Sequence, residues 1–171
     1  MRNPFLIVAL VTAMATLILY EPINILFFKL KEPYYSYPIK TGRNNPVVRS
    51  DGQGDGEYGA KRNGGRTHDG IDILAPVGTP VYAAKSGTAF RLNVPTGYGK
   101  YVMIYHPDRA QTIYAHLMDW NVRSTQRVYR GELIGFVGKS GNAADISIQP
   151  HLHFEIRKNG LPVDPEGKLR R

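Results

Sequence analysis

From Gly65 onward the apolar residues come in short runs closed off by glycine or proline, and that punctuation favours β-strands over any other element. The runs cover 81–84, 88–94, 101–105, 112–117, 133–137 and 151–156. Each is near the usual strand length of about 5 or 6 residues. Val, Ile, Tyr and Phe supply the branched and aromatic side chains that pack on a pleated surface. Apolar residues do not recur at helical spacing, and 123–130 is too polar and short for a helix. Lys85-Ser86-Gly87 and Lys158-Asn159-Gly160 fit hairpin turns. The expectation is a mainly β fold.

The first 31 residues differ in kind. Arg2 precedes an apolar run over 4–20 interrupted only by Thr12 and Thr16, and 23–30 extends it past Glu21 and Pro22. A spanning helix needs roughly 17–25 apolar residues, whereas the apolar part of a cleavable signal has about 7–15. The run therefore predicts an N-terminal hydrophobic helix anchoring the chain over 4–28. Ala13-Met14-Ala15 resembles a cleavage site, which would give a secreted protein instead, but the apolar run continues beyond it. Arg2 and the amino terminus balance Lys29 and Lys31, so the positive-inside rule assigns no orientation. Residues 32–55 are rich in Pro, Tyr, Asn and Gly and read as linker and loop.

Composition narrows the chemistry. There is no cysteine among the 171 residues, which removes disulfides, thiolate metal sites and a cysteine nucleophile; a metal must be held by His, Asp or Glu. Removing Arg2, Lys29, Lys31, Glu21 and Glu32 from totals of 22 basic and 14 acidic residues leaves 19 and 12, so the basicity belongs to the domain. A basic surface attracts anionic partners. The Lys and Arg residues are scattered, without the motifs of nucleic-acid readers, so nucleic acid is not the expected partner.

Two clusters carry candidate chemistry. In Thr67-His68-Asp69-Gly70-Ile71-Asp72, a His and an Asp stand four apart, as metal ligands, a surface pair or coincidence. Gly70, Ile71, Ile73 and Pro76 argue against a helix, and in a straight strand the two would lie about 13 Å apart. A shared ion therefore requires a bend, for which Gly70 is the natural place. The second cluster, His151-Leu152-His153-Phe154-Glu155-Ile156, alternates so that both histidines and Glu155 share one strand face and the apolar residues face the core. Two histidines and a carboxylate with an open fourth position suit a catalytic zinc. His116, at the end of the 112–117 run, can aim into the same cleft, while His106 reads as structural or surface.

With these residues in place, the chain resembles the LytM/lysostaphin-type zinc endopeptidases, which cut the peptide part of bacterial peptidoglycan. The resemblance spans about 56–165 and runs in order through Tyr58-Gly59, Arg66-x-His68-x-Gly70-x-Asp72, Pro76-x-Gly78-Thr79-Pro80-Val81, Tyr98-Gly99-x-Tyr101-Val102, Tyr114-Ala115-His116-Leu117, Gly131-x-x-Ile134-Gly135-x-Val137-Gly138-x-Ser140-Gly141 and Pro150-His151-Leu152-His153-Phe154-Glu155. It implies one Zn2+ held by His68, Asp72 and His153, with His116 and His151 beside the reaction centre as catalytic partners. It also implies a compact antiparallel β-sheet domain over 56–171 with an open substrate groove, peptidoglycan peptides as partner, and a catalytic domain in the cell envelope, outside the cytoplasmic membrane. Tyr58 and Tyr114 are candidates to line the cleft, and Glu155, on what reads as an exposed strand face, is expected in a supporting or solvent-facing role rather than in catalysis. Residues 32–57 are a candidate cover for the groove, and a regulatory protein partner is left unknown. The rival readings are a non-catalytic member of the fold that activates another wall hydrolase, and a lipoyl-type carrier presenting Lys85 in a hairpin.

Overall fold

The computed structural model describes residues 4–40, 47–51 and 54–170 and divides the chain into two compact units, Met1–Pro33 and Tyr34–Arg171. The first unit is one helix, α1 (Pro4–Lys31), which runs through Pro22. Within it Ile7–Lys31 is long and apolar enough to cross a membrane, and none of its most apolar window is buried inside the protein.

The second unit is built from β1 (Tyr35–Ser36), β2 (Ser50–Asp51), β3 (Gly54–Asp55), β4 (Ile71–Leu74), β5 (Pro80–Tyr82), β6 (Gly87–Asn93), β7 (Lys100–Tyr105), β8 (Ala110–Ala115), β9 (Leu117–Trp120), β10 (Gln126–Val128), β11 (Leu133–Val137), β12 (His151–Lys158), β13 (Leu161–Val163) and β14 (Leu169–Arg170). The main sheet runs β10-β6-β7-β8-β12-β13 and is antiparallel throughout. β4 joins it on β12, beside the other end of the strand from β13. A smaller antiparallel sheet runs β5-β11-β9. Period-2 alternation fills the core: Val102 and Ile104 of β7, Tyr114 of β8, and Leu152, Phe154 and Ile156 of β12 pack with Val81, Ile134 and Val137. The intervening residues Tyr101, Ile113 and Ala115 form a second apolar cluster.

Two details depart from the expectations, and a third agrees with them. The segment read as linker is part of the second unit: Tyr35 and Ile39 lie in its core, and Val47, Arg49 and Gly56 bond to β4. The rest of that segment, 41–46 and 52–53, lies outside the described residues. Lys85-Ser86-Gly87 is not a hairpin turn, because β5 and β6 belong to different sheets and the chain crosses between them. Asn159-Gly160 is a two-residue hairpin, with Lys158 opposite Leu161 and both turn residues at positive φ, 52° and 79°.

Candidate metal centre

Register places the first two side chains. Asp72 of β4 lies directly opposite His153 of β12, and in antiparallel strands directly opposed side chains project from the same face within contact distance. His153 Nδ1 and Asp72 Oδ1 are 2.9 Å apart. His68 arrives from the segment before β4, where the chain bends as its spacing requires, and its Nε2 lies 3.0 Å from Asp72 Oδ1 and 2.9 Å from His153 Nδ1. Gly70 permits the approach for a reason other than backbone freedom. A Cβ there would stand 2.3 Å from the carbonyl oxygen of Phe154, so only glycine lets the bend press against β12.

The outer atom of each group is engaged. His68 Nδ1 donates to the Glu57 carbonyl at 2.8 Å, and His153 Nε2 donates to Glu155 Oε1 at 2.8 Å. Asp72 Oδ2 accepts from Arg49 (3.1 and 3.3 Å) and from Arg62 (3.2 Å). Glu155 is fully buried and also accepts from Tyr98 Oη at 2.5 Å and Arg157 Nε at 2.7 Å. It therefore supports the site from behind, and the face it shares with His151 and His153 is buried rather than solvent-exposed as its polarity suggested.

His116 and His151 complete the cluster, with ring centroids 5.0 Å apart, and His116 is 5.8 Å from His153. Alternation alone would send His116 to the core side with Tyr114. It reaches the site because its φ of 60° breaks the strand between β8 and β9 and turns the side chain over. Non-glycine residues at such φ are uncommon and concentrate at functional sites. His116 Nδ1 donates to the Ser140 carbonyl at 2.9 Å and His151 Nδ1 to the Gln149 carbonyl at 2.6 Å, so in the neutral form each carries its lone pair on Nε2. His151 Nε2 lies 3.8 Å from Asp72 Oδ1.

Electrostatics match this arrangement. Burial alone would raise the Asp72 carboxyl, but hydrogen bonds from His153 and His68 hold it far below the usual carboxylate range. Burial would lower His153, yet Asp72 and Glu155 outweigh it and lift the imidazole to about 9. Burial pushes His116 down to about 3, and also lowers His151, so both are neutral at pH 7. Asp72 and Glu155 thus favour positive charge at His153, and the pair is flanked by two neutral bases.

Other candidates fall elsewhere. Tyr114 does not line a cleft: it is fully buried, and its hydroxyl accepts from the Ala84 amide and Thr112 Oγ1. Tyr58 Oη donates to the Pro162 carbonyl. His106 is structural, bonded to the Ser86 carbonyl and Thr112. Lys85 is 3% exposed and ion-paired to Asp108 at 2.7 Å, which leaves nothing for a carrier to present. Arg49, Arg62 and Tyr98 carried no site signal in the sequence beyond the place of Tyr98 in the resemblance.

The sequence model for peptidase family M23 matches residues 66–165. DD-carboxypeptidase/endopeptidase Mpg of Neisseria meningitidis serogroup B is 46% identical over 100 residues, which are 58% of this chain and 22% of that protein. Peptidoglycan DD-endopeptidase ShyC of Vibrio cholerae is 37% identical over 100 residues, with the same two shares. The crystal structure of a zinc-containing peptidase from Vibrio cholerae superimposes with a TM-score of 0.62 at 29% identity, over 77% of this chain and 39% of that one. The chain thus spans about a fifth of the length of the curated relatives.

Proposed function

Because the chain belongs to peptidase family M23, we propose that it is a zinc-dependent endopeptidase hydrolysing peptide bonds in bacterial cell-wall peptidoglycan. The convergence of His68 Nε2, Asp72 Oδ1 and His153 Nδ1 into a triangle with edges of 2.9–3.0 Å carries the reading. Tetrahedral ligand bonds of about 2.0–2.1 Å give edges of roughly 3.3 Å. The triangle therefore fits one zinc ion after a few tenths of an ångström of relaxation, and the outer hydrogen bonds already point the three donor atoms inward. When bound, zinc supplies Lewis acidity, lowering the pKa of water toward about 7 and polarising a carbonyl.

The rest of the reaction falls to the chain's own groups. His116 and His151, neutral and tied through Nδ1–H, can each take a proton at Nε2 during water attack. The same nitrogen, once protonated, can return a proton to the leaving amine or donate to the oxygen that develops negative charge. Burial of all five groups lowers the local dielectric and strengthens these interactions.

The relative named as a peptidoglycan DD-endopeptidase supports a wall substrate. A wall substrate and helix α1 support a place in the envelope, anchored in the cytoplasmic membrane with the peptidase unit outside. The test is digestion of purified peptidoglycan, with released peptides weighed by mass spectrometry. The parent is expected to release peptides with new amino termini, and Asp72→Ala or chelator-treated protein none. A zinc-loaded parent that binds peptidoglycan without cutting it would favour the non-catalytic activator instead.

A further inference from the structure

The segment upstream of the family match bonds directly to the site. Along the edge of β4 opposite β12, the Arg49 amide donates to the Asp72 carbonyl at 2.8 Å, and the Asp72 amide to the Gly56 carbonyl at 2.8 Å. The Gly56 amide closes the ring onto the Arg49 carbonyl at 2.7 Å, and Leu74 adds a bond to Val47. Gly56 is required for this closeness, since a Cβ there would stand 2.7 Å from Asp72 Cβ.

Side chains repeat the pattern. The Arg49 guanidinium, 4% exposed, gives Nε and one terminal nitrogen to Asp72 Oδ2 and the other terminal nitrogen to Asp51 Oδ1 at 2.6 Å. Asp51 Oδ2 in turn accepts the Gln149 amide at 3.3 Å, and the Gln149 carbonyl accepts His151 Nδ1. One connected path therefore runs from Asp72 through Arg49, Asp51 and Gln149 to His151, whose Nε2 returns to within 3.8 Å of Asp72 Oδ1.

We propose that Arg49 and Asp51 form a brace that fixes Asp72 and His151 relative to one another, with Arg49 a positioning residue for the metal-binding carboxylate and Asp51 for His151. The proposal rests on the reading of Asp72 as a zinc ligand. With Oδ2 occupied by Arg49 and Arg62, Asp72 can offer a metal only Oδ1. Gln149, fixed by Asp51, holds the tautomer of His151. Residues 47–51 and 54–57 thus form part of the frame of the site, whereas the sequence made 32–57 a candidate cover.

The test uses the full chain and the variants Arg49→Gln, Arg49→Lys and Asp51→Asn. Zinc affinity is measured by chelator competition, kcat and KM on a peptidoglycan peptide, and the thermal midpoint on metal-free protein. Loss of support behind a ligand typically costs about 10–100-fold in metal affinity. Arg49→Gln is expected to show that loss together with a lower kcat and a KM within about twofold of the parent. Arg49→Lys should recover part of the affinity, because the charge returns without the second donor. Asp51→Asn should lower kcat about tenfold or more with a smaller loss of zinc affinity than Arg49→Gln, since Asp51 holds Gln149 directly but reaches Asp72 only through Arg49. Folded variants that keep zinc affinity and kcat within about twofold of the parent, whatever their thermal midpoint, overturn the brace. If Arg49→Gln does not fold, the other two variants decide on the same readouts. A parent that takes up no zinc overturns the underlying metal assignment, and the brace with it.

Discussion

Asp72 is asked to do most at the residue scale. One oxygen faces two imidazoles, the other takes two guanidinium groups, and its backbone amide and carbonyl are bonded to Gly56 and Arg49. Asp72→Ala should therefore abolish both zinc uptake and hydrolysis while leaving a folded chain, a pattern read by metal analysis beside circular dichroism. His116→Ala and His151→Ala should instead keep zinc and lose about 10²–10⁴-fold in kcat. Gly70→Ala is expected to drop the thermal midpoint and weaken zinc binding, because its methyl meets the Phe154 carbonyl; overpacking of this kind costs about 1–3 kcal/mol. His68, Asp72, His151 and His153 could be picked out in the sequence because their spacing and alternation are local. Arg49 and Arg62 could not, since a buried arginine and a solvated one look alike until the fold brings a carboxylate to them. Tyr114 was misplaced because its position in the resemblance suggested the cleft, while strand alternation sends it to the core.

At the scale of elements, the strands were readable wherever turn chemistry was local. The Asn159-Gly160 hairpin follows from two residues that tolerate positive φ, and Asn159→Ala should cost about 1 kcal/mol in a denaturant titration. The crossing at 83–86 was not readable, because a lysine-serine-glycine stretch looks the same in a hairpin as in a passage between sheets. In that crossing Lys85 pairs with Asp108 at 2.7 Å. Burial would raise Asp108, but the Lys85 hydrogen bond and charge outweigh it and hold the carboxyl below its usual range. A depressed folded value means that this stabilisation is complete above the unfolded value of about 3.9 and is lost as pH falls through the folded one. Lys85→Met should therefore destabilise the chain by about 3–5 kcal/mol at pH 7. The gap between variant and parent should narrow in melts recorded below pH 3; an equal gap at both pH values would contradict the pairing.

For the whole molecule, the division after Pro33 separates an apolar helix from a β unit that has its own core, the four site histidines and the aspartate. A chain starting at Tyr34 should fold, bind zinc and leave the membrane fraction, whereas one starting at Tyr58 should lose zinc with the Arg49 frame. The helix was plain in the sequence because length and apolarity suffice to define it. The true reach of the β unit toward the N-terminus was not, because 47–51 and 54–56 join β4 through backbone bonds, which leave no alternation or spacing signal in the sequence. The central claim, that three residues hold one zinc and two act beside it, is tested most directly by zinc stoichiometry after equilibrium dialysis. One zinc per chain is expected for the parent, His116→Ala and His151→Ala, and none for His68→Ala, Asp72→Ala and His153→Ala; zinc retained by Asp72→Ala, or lost equally from His116→Ala, would contradict it.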